Sequence, residues 1–402
     1  MASAISERQI VFCVGAVQFV NILDFVIVTP LGQDFAAALG IPLDRLGWVG
    51  ASYTAAACVT GVVGAVFLDR FDRRKALAVA MLGLVLGTLS GALATGLHTL
   101  LLARVVAGVF GGPATSISYS IIADVIPSER RGKAMGAVMG AFSFASVLGV
   151  PAGLELARIG SWRLPFVAVA VLGGILGTYA YVALPPMTKH LEGATQRSFY
   201  DDVRGLFRSD VLLSYGMTAV TMAASFVLIP YMSAYVIQNL GYPRAKLGLL
   251  YLVGGVVSFF TMRFVGKLVD RLGSTAVGSL GSLFVGAVVY VGFVRNPPLV
   301  SVLAIFVTFM LGMSIRNVAY STLTTKVPEP SERARFGSLQ SAVQHAASAA
   351  AGLGGAALLT ERDGELVGMA TVGLVSIGVG LLLPPMLWAV ERRVRARGIL
   401  RG

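Results

Sequence analysis

Apolar residues gather into long runs along this chain, and polar residues gather into the joins between them. A run of about 20 apolar residues crosses the hydrocarbon core of a bilayer as a helix. Twelve such runs fit the sequence, near 10–32, 46–69, 76–96, 99–125, 134–158, 162–184, 209–239, 245–269, 275–294, 299–326, 336–359 and 366–390. Each is long enough to satisfy its backbone internally, as a lipid-exposed segment must. The pattern predicts an all-α membrane protein of twelve transmembrane helices. The first run is long, lacks a small-residue cleavage site and is followed at once by another, so it reads as a span and not as a cleaved leader.

The pattern repeats at an offset of about 201 residues. Pro42 matches Pro243, Gly47 matches Gly248, and Asp69-Arg70 matches Asp270-Arg271. Pro127 matches Pro328, Gly136 matches Gly337, and Pro30 matches Pro230 one residue short of the offset. The offset covers an even number of spans, so the two halves share one orientation, as in a parallel repeat about an axis along the membrane normal. This predicts two pseudo-symmetric six-helix bundles, 1–187 and 209–402. The polar stretch 188–208 between them carries Lys189, His190, Glu192, Arg197, Asp201, Asp202 and Arg204 and reads as a cytoplasmic linker.

Composition sharpens the picture. The chain is 56% hydrophobic and only 13% charged, with a net charge of +12. A basic balance is compatible with nucleic acid, but the placement of the charges argues for a membrane instead. About 22 Lys and Arg fall in the termini and the even joins, and about seven on the other side, which puts both termini in the cytoplasm. The tail arginines Arg392, Arg393, Arg395 and Arg397 can also rest on anionic lipid. Trp48, Trp162 and Trp388 fall at span ends, where an aromatic belt belongs. Cys13 and Cys58 lie inside apolar runs and read as packing residues. No metal-ligand spacing, nucleotide loop or hydrolase motif is present, so the reading is not an enzyme, with no cofactor and no metal.

Two joins carry a charged signature. Residues 65–75 read A-V-F-L-D-R-F-D-R-R-K, and residues 266–273 read G-K-L-V-D-R-L-G. They resemble the G-x-x-x-D-R-x-G-R-R/K loop of the major facilitator superfamily, and the resemblance covers essentially the whole chain. The first copy departs from the pattern, with Ala65 and Asp72 at its two glycine positions. The resemblance implies a cytoplasmic gate made by Asp69, Arg70, Arg73, Arg74, Asp270 and Arg271. Plain anchoring of positive charge on the cytoplasmic side is the other reading. The R-V-V-A-G-V-F-G-G stretch from Arg104 resembles the family's fourth-span R-x-x-x-G motif. G-V-P-A-G at 149–153 resembles the fifth-span motif of its exporters, with Val150 interposed between Gly and Pro. Gly149 and Gly153 stand on a four-residue ladder of small residues that lets helices approach closely, and Pro151 is expected to kink the span.

Ionisable residues inside spans carry the candidate chemistry, because they are expensive there and seldom face lipid. Asp24 lies about 21 Å from the cytoplasmic end of the first run, and Arg104 about 8 Å from the outer end of the fourth. In a core of about 30 Å those depths nearly coincide. An Asp24–Arg104 pair is expected, either as a proton carrier that opens once per cycle or as a static ion pair; the other reading of Arg104 is a side chain that snorkels to the outer interface. Ser225 stands near the equivalent of Asp24, so a proton site would exist in one half alone. Arg316 and Asn317 lie in the inner half of the tenth run, and the repeat places Thr115 opposite Arg316. Arg316 suits an anionic or polar substrate, or an acid of the first half. His345, beside Gln344, can relay a proton, touch substrate or simply pack. Together with Asn21, these residues are the candidates for a substrate cavity.

The resemblance implies a secondary transporter working by alternating access, in the twelve-span branch that exchanges protons for drugs, sugars or metabolites. The expected partners are a small-molecule substrate, protons and the lipid bilayer, with no nucleic acid, and the expected form is a monomer in the cell (inner) membrane. Uptake of an anionic metabolite is a second reading, motivated by Arg104 and Arg316. A non-transporting sensor or scaffold is a third.

Overall fold

The structure is a computed structural model that describes residues 6–188, 208–295, 301–328 and 333–397. Helices account for nearly all of it. The first span, Glu7–Ile27, opens on a capping box in which Ser6 and Gln9 satisfy each other's backbone N–H groups. The second is Leu46–Phe67, the third Arg73–Ala92, the fourth Leu97–Val125 and the sixth Arg163–Ala183. The second half supplies Leu247–Leu272 as the eighth span, Val302–Thr324 as the tenth and Arg333–Leu358 as the eleventh. The seventh runs through Ser209–Phe226 and Ile229–Gln238, the ninth through Ser274–Val289 and a π-turn at Tyr290–Val294, and the twelfth through Met369–Gly380 and Leu383–Ala396. These spans form two pseudo-symmetric six-helix bundles.

Ten of these spans are long and apolar enough to cross a bilayer on that ground alone. The other two are the fifth and the eleventh, which are partners in the repeat. The fifth is broken into Ser128–Met139, Ala141–Phe144, a π-turn at Ala145–Gly149 and Val150–Ile159. The break has a local cause. Pro151 lacks an N–H and crowds the carbonyl four residues back, and the widened turn before it carries the ladder past that crowding, with Val150 N bonding Ala145 O. The expected kink at Pro151 thus takes the form of a π-turn. The eleventh span is one continuous helix whose Gln340, Ser341, Gln344, His345 and Ser348 lower its hydropathy.

The chain divides into two compact units, Met1–Ile41 with Trp48–Gln196, and Pro42–Gly47 with Arg197–Gly402. The same packing scheme recurs in each. The first span packs on the fourth, fifth and sixth, the third on the fourth and sixth, the seventh on the eleventh, and the ninth on the tenth and twelfth. Close approach depends on glycine where backbones meet. A Cβ at Gly87 would sit 2.5 Å from Ala107 N and 2.7 Å from its Cα. A Cβ at Gly149 would sit 2.6 Å from Leu23 Cδ1, and Gly153 faces Ile27, so one edge of the fifth span seats on the first.

A two-stranded antiparallel hairpin, β1 (Thr360–Arg362) and β2 (Glu365–Val367), joins the eleventh and twelfth spans. Its turn, Asp363-Gly364, has positive φ at both residues, 52° and 79°, the geometry that Asp-Gly favours in tight hairpins. The Asn239 amide clamps it, accepting from Leu366 N at 3.1 Å and donating to Leu366 O at 3.0 Å. The apolar pattern gave no sign of this hairpin.

Candidate functional site: a buried ion pair in the first unit

Asp24 sits on the first span, and Arg104 lies about two turns into the fourth. Their side chains are 0% and 1% exposed. The guanidinium grips the carboxylate with two bonds, Nη1 to Oδ1 and Nη2 to Oδ2, each 3.0 Å. Such a fork is among the stronger hydrogen-bonding geometries available to side chains. Thr88 Oγ1, from the third span, lies 2.7 Å from Asp24 Oδ1 and 2.8 Å from its own Leu84 carbonyl, so one hydroxyl proton serves two acceptors. Arg104 Nη2 also reaches the Asp24 carbonyl at 3.4 Å, while Nε has no partner among the described residues.

Tyr53 of the second span closes the site. Its ring lies 4.7 Å beneath the Arg104 guanidinium, a cation–π contact strengthened by desolvation. Glycines make room for it. A Cβ at Gly108 would be 3.0 Å from Tyr53 Cα, and one at Gly111 would be 3.0 Å from Tyr53 Cζ and 2.9 Å from Asn21 Oδ1. The R-x-x-x-G spacing thereby acquires a physical meaning: the arginine points at Asp24 while the glycine one turn on admits the second span.

From Tyr53 a run of uncharged polar groups leads toward the N-terminal end of the first span and the C-terminal end of the fourth. Tyr53 Oη donates to Asn21 Oδ1 at 2.9 Å. Asn21 Nδ2 donates to Gly111 O at 2.9 Å and to Thr115 Oγ1 at 2.7 Å, and Thr115 Oγ1 lies 3.4 Å from Gln18 Oε1. Asn21 is thus a buried hub that uses both ends of its amide. Thr88, Tyr53, Gln18 and Thr115 were not among the expected site residues, since nothing about an uncharged polar residue in a span marks it as functional.

The other candidates are placed differently. Arg316 is 1% exposed in the second unit, with Nη2 at 2.6 Å from Ser225 Oγ and 2.8 Å from Met313 Sδ. Asn317 is half-buried, and its Oδ1 has no hydrogen-bond partner among the described residues. His345 is half-buried and Gln344 exposed. Gln340, one turn earlier, bridges the eleventh and tenth spans by donating to Tyr320 Oη at 3.2 Å.

The charged signature after the second span is tied into its own unit. Arg73 is buried and pairs with Asp124 at the C-terminal end of the fourth span at 3.3 Å. Arg74 donates to Leu184 O at 3.1 Å and covers the Tyr181 ring at 4.6 Å. Asp72, which replaces the family's glycine, caps the third span by accepting from Arg74 N at 2.9 Å and also accepts from Met187 N at 3.0 Å. The departure at that position is therefore a helix cap. Arg70, Asp270 and Arg271 are exposed, and the Asp69 side chain lies outside the described residues.

A twelve-span α-helical fold in two six-helix bundles places the chain among polytopic membrane proteins, and the sequence model of the Major Facilitator Superfamily matches residues 14–353. The chain belongs to that superfamily. It is 27% identical over 383 residues to the "Purine ribonucleoside efflux pump NepI" of Salmonella enteritidis PT4, covering 93% of this chain and 91% of that protein. It is 24% identical over 261 residues to a "Chloramphenicol resistance protein" of Streptomyces lividans, covering 64% and 65% of the two chains. Among solved structures it resembles a D-xylose-proton symporter, with a TM-score of 0.76 at 18% identity over 95% of this chain and 97% of that one. It also resembles the nucleoside transporter NupG, solved as a point mutant, with a TM-score of 0.72 at 13% identity, covering 95% and 99%. The chain is a multi-pass membrane transporter of a small molecule and not an enzyme.

Proposed function

We propose that this chain is a proton-coupled exporter of a small polar organic molecule, with purine ribonucleosides the first class to test. The observation that carries the proposal is the fully enclosed Asp24–Arg104 pair. A proton arriving on Asp24 would cancel the carboxylate's charge and leave Arg104 buried without a counter-charge. That is a costly state, relieved only if the surrounding helices move so that water or another group reaches the guanidinium. Proton uptake and conformational change are thereby coupled, with the two bundles rocking about a site near the bilayer midplane. Export, and the nucleoside class, are supported by the efflux pump to which this chain is similar along nearly its whole length.

In this reading Asn21, Arg316, Asn317, Gln344 and His345 contribute to the substrate path. Asp69, Arg70, Arg73, Arg74, Asp270 and Arg271 form the cytoplasmic gate, and Gly149, Pro151 and Gly153 set helix packing. The transporter acts as a monomer in the cell (inner) membrane, with both termini in the cytoplasm.

The test is transport in proteoliposomes carrying purine ribonucleosides under an imposed pH gradient. Wild-type protein is expected to move substrate uphill at the expense of the gradient. Asp24→Asn is expected to lose gradient-driven movement while still exchanging labelled for unlabelled substrate when no gradient is present. Undiminished gradient-driven movement in Asp24→Asn would sink the assignment of the proton to that carboxylate.

A further inference from the structure

The second unit buries an arginine that has no acid of its own half beside it. Among the described residues Arg316 bonds only Ser225 Oγ and Met313 Sδ, both neutral, and its Nε has no partner there. Among the described residues no carboxylate forms an ion pair with it. The described acids of this half, Asp210, Asp270, Glu361, Asp363, Glu365 and Glu391, lie at span ends or in the hairpin.

The repeat makes the arrangement informative. Ser225 stands on the seventh span where Asp24 stands on the first, at the offset of about 201 residues. In the first unit an arginine from the fourth span meets a carboxylate at that register. In the second an arginine from the tenth span meets a hydroxyl, and that hydroxyl already points its proton at Thr221 O, 2.8 Å away. Ser225 therefore offers Arg316 a lone pair and no charge. Beside Arg316 is a cavity of about 10 Å³, lined by Ser282 and Gly286 of the ninth span and Ser376 and Gly380 of the twelfth, with the apolar side chains of both spans making up most of its wall. Ser376 Oγ donates to Ala224 O at 2.6 Å, which brings the cavity wall to the residue next to Ser225.

We propose that Arg316 is the binding group of a compact-anion site inside the second bundle. The anion supplies the negative charge that Asp24 supplies covalently in the first. The chemistry is that of a small singly charged anion accepting hydrogen bonds from the guanidinium. It comes either from an inorganic halide or from the carboxylate of an organic molecule. The site uses an arginine that the proposed function places on the substrate path, but it does not depend on proton-coupled export, since a filled site neutralises Arg316 whatever the direction or substrate of transport.

Thermal unfolding of the purified protein tests it, with chloride, bromide or acetate replacing gluconate at constant ionic strength. For wild-type protein, chloride and bromide are expected to raise the midpoint saturably by roughly 3–6 °C. A rise with acetate and none with halide would assign the site to a carboxylate-bearing molecule. Arg316→Met is expected to lose the response. Ser225→Asp provides the charge internally, so it is expected to raise the midpoint in gluconate and to flatten the response to every anion. Chloride-35 line broadening by wild-type protein, reversed by bromide, reads the same site without any substitution. A wild-type protein with neither an anion-dependent midpoint nor chloride broadening, or a Ser225→Asp protein that responds as wild type does, overturns the proposal.

Discussion

Asp24 and Arg104 exchange two hydrogen bonds in a place where neither charge has water to fall back on. Removing one partner strands the other, and a stranded buried charge costs about 3–5 kcal/mol. Removing both leaves two neutral groups that can still bond each other. Asp24→Asn and Arg104→Gln are each expected to lower the unfolding midpoint, and the double variant is expected to regain most of the loss. A double variant as unstable as the sum of the single losses would mean that the residues do not act as a pair. Arg104→Lys keeps the charge but gives up the fork and the flat contact with Tyr53. It is expected to fold and to transport more slowly than wild type when assayed in proteoliposomes.

Helix packing in this chain depends on which atoms a glycine faces. Gly87 meets the backbone of Ala107, which cannot yield, whereas Gly149 meets the tip of Leu23, which can turn aside. Gly136 meets nothing within 4 Å. The expected order of destabilisation in thermal unfolding is therefore Gly87→Ala, at about 1–3 kcal/mol, then Gly149→Ala, with Gly136→Ala close to neutral. At the base of the second unit, Asp210 opens the seventh span and pairs with Arg397 at the end of the twelfth and with Arg208. Arg393 donates to Ser209 O at 2.8 Å beside it. Burial, and after it the adjacent Arg208, pull the Arg397 guanidinium below arginine's ordinary range. Asp210→Asn would leave two arginines facing a neutral amide. It is expected to destabilise the protein by about 1–3 kcal/mol, with the loss reduced by high salt.

Orientation in the bilayer is expected to follow charge placement across the whole molecule, with both termini in the cytoplasm. In a variant lacking Cys13 and Cys58, single cysteines introduced at Thr95, Gly241 and Asp363 are expected to react with an impermeant thiol reagent added to intact cells. Cysteines introduced at Ser6, Asp72 and Gly273 are expected to react only after the membrane is opened. Labelling of both sets from the outside would overturn the orientation. The two units share a packing scheme but not their buried charges, which are Asp24 with Arg104 in one and Arg316 with Ser225 in the other. The repeat therefore supplies a scaffold, and the chemistry differs from half to half.

The twelve spans, the repeat and the superfamily were legible in the sequence because a bilayer imposes length and apolarity on every crossing segment. Asp24 and Arg104 stood out for the same reason, as charges in oil, and their matching depths follow from helical rise alone. Tyr53, Thr88, Gln18 and Thr115 did not stand out, because an uncharged polar residue in a span can bond its own helix and needs no partner elsewhere. Only tertiary packing brought four spans together around one carboxylate. Packing also decided that Arg316 meets Ser225 and not an acid, that Gln340 and not His345 bridges to the tenth span, and that the irregularity at Pro151 is a π-turn. Periodicity records which face of a helix is apolar. Which neighbour that face meets, and at what rotation, depends on contacts made by residues far apart in the chain.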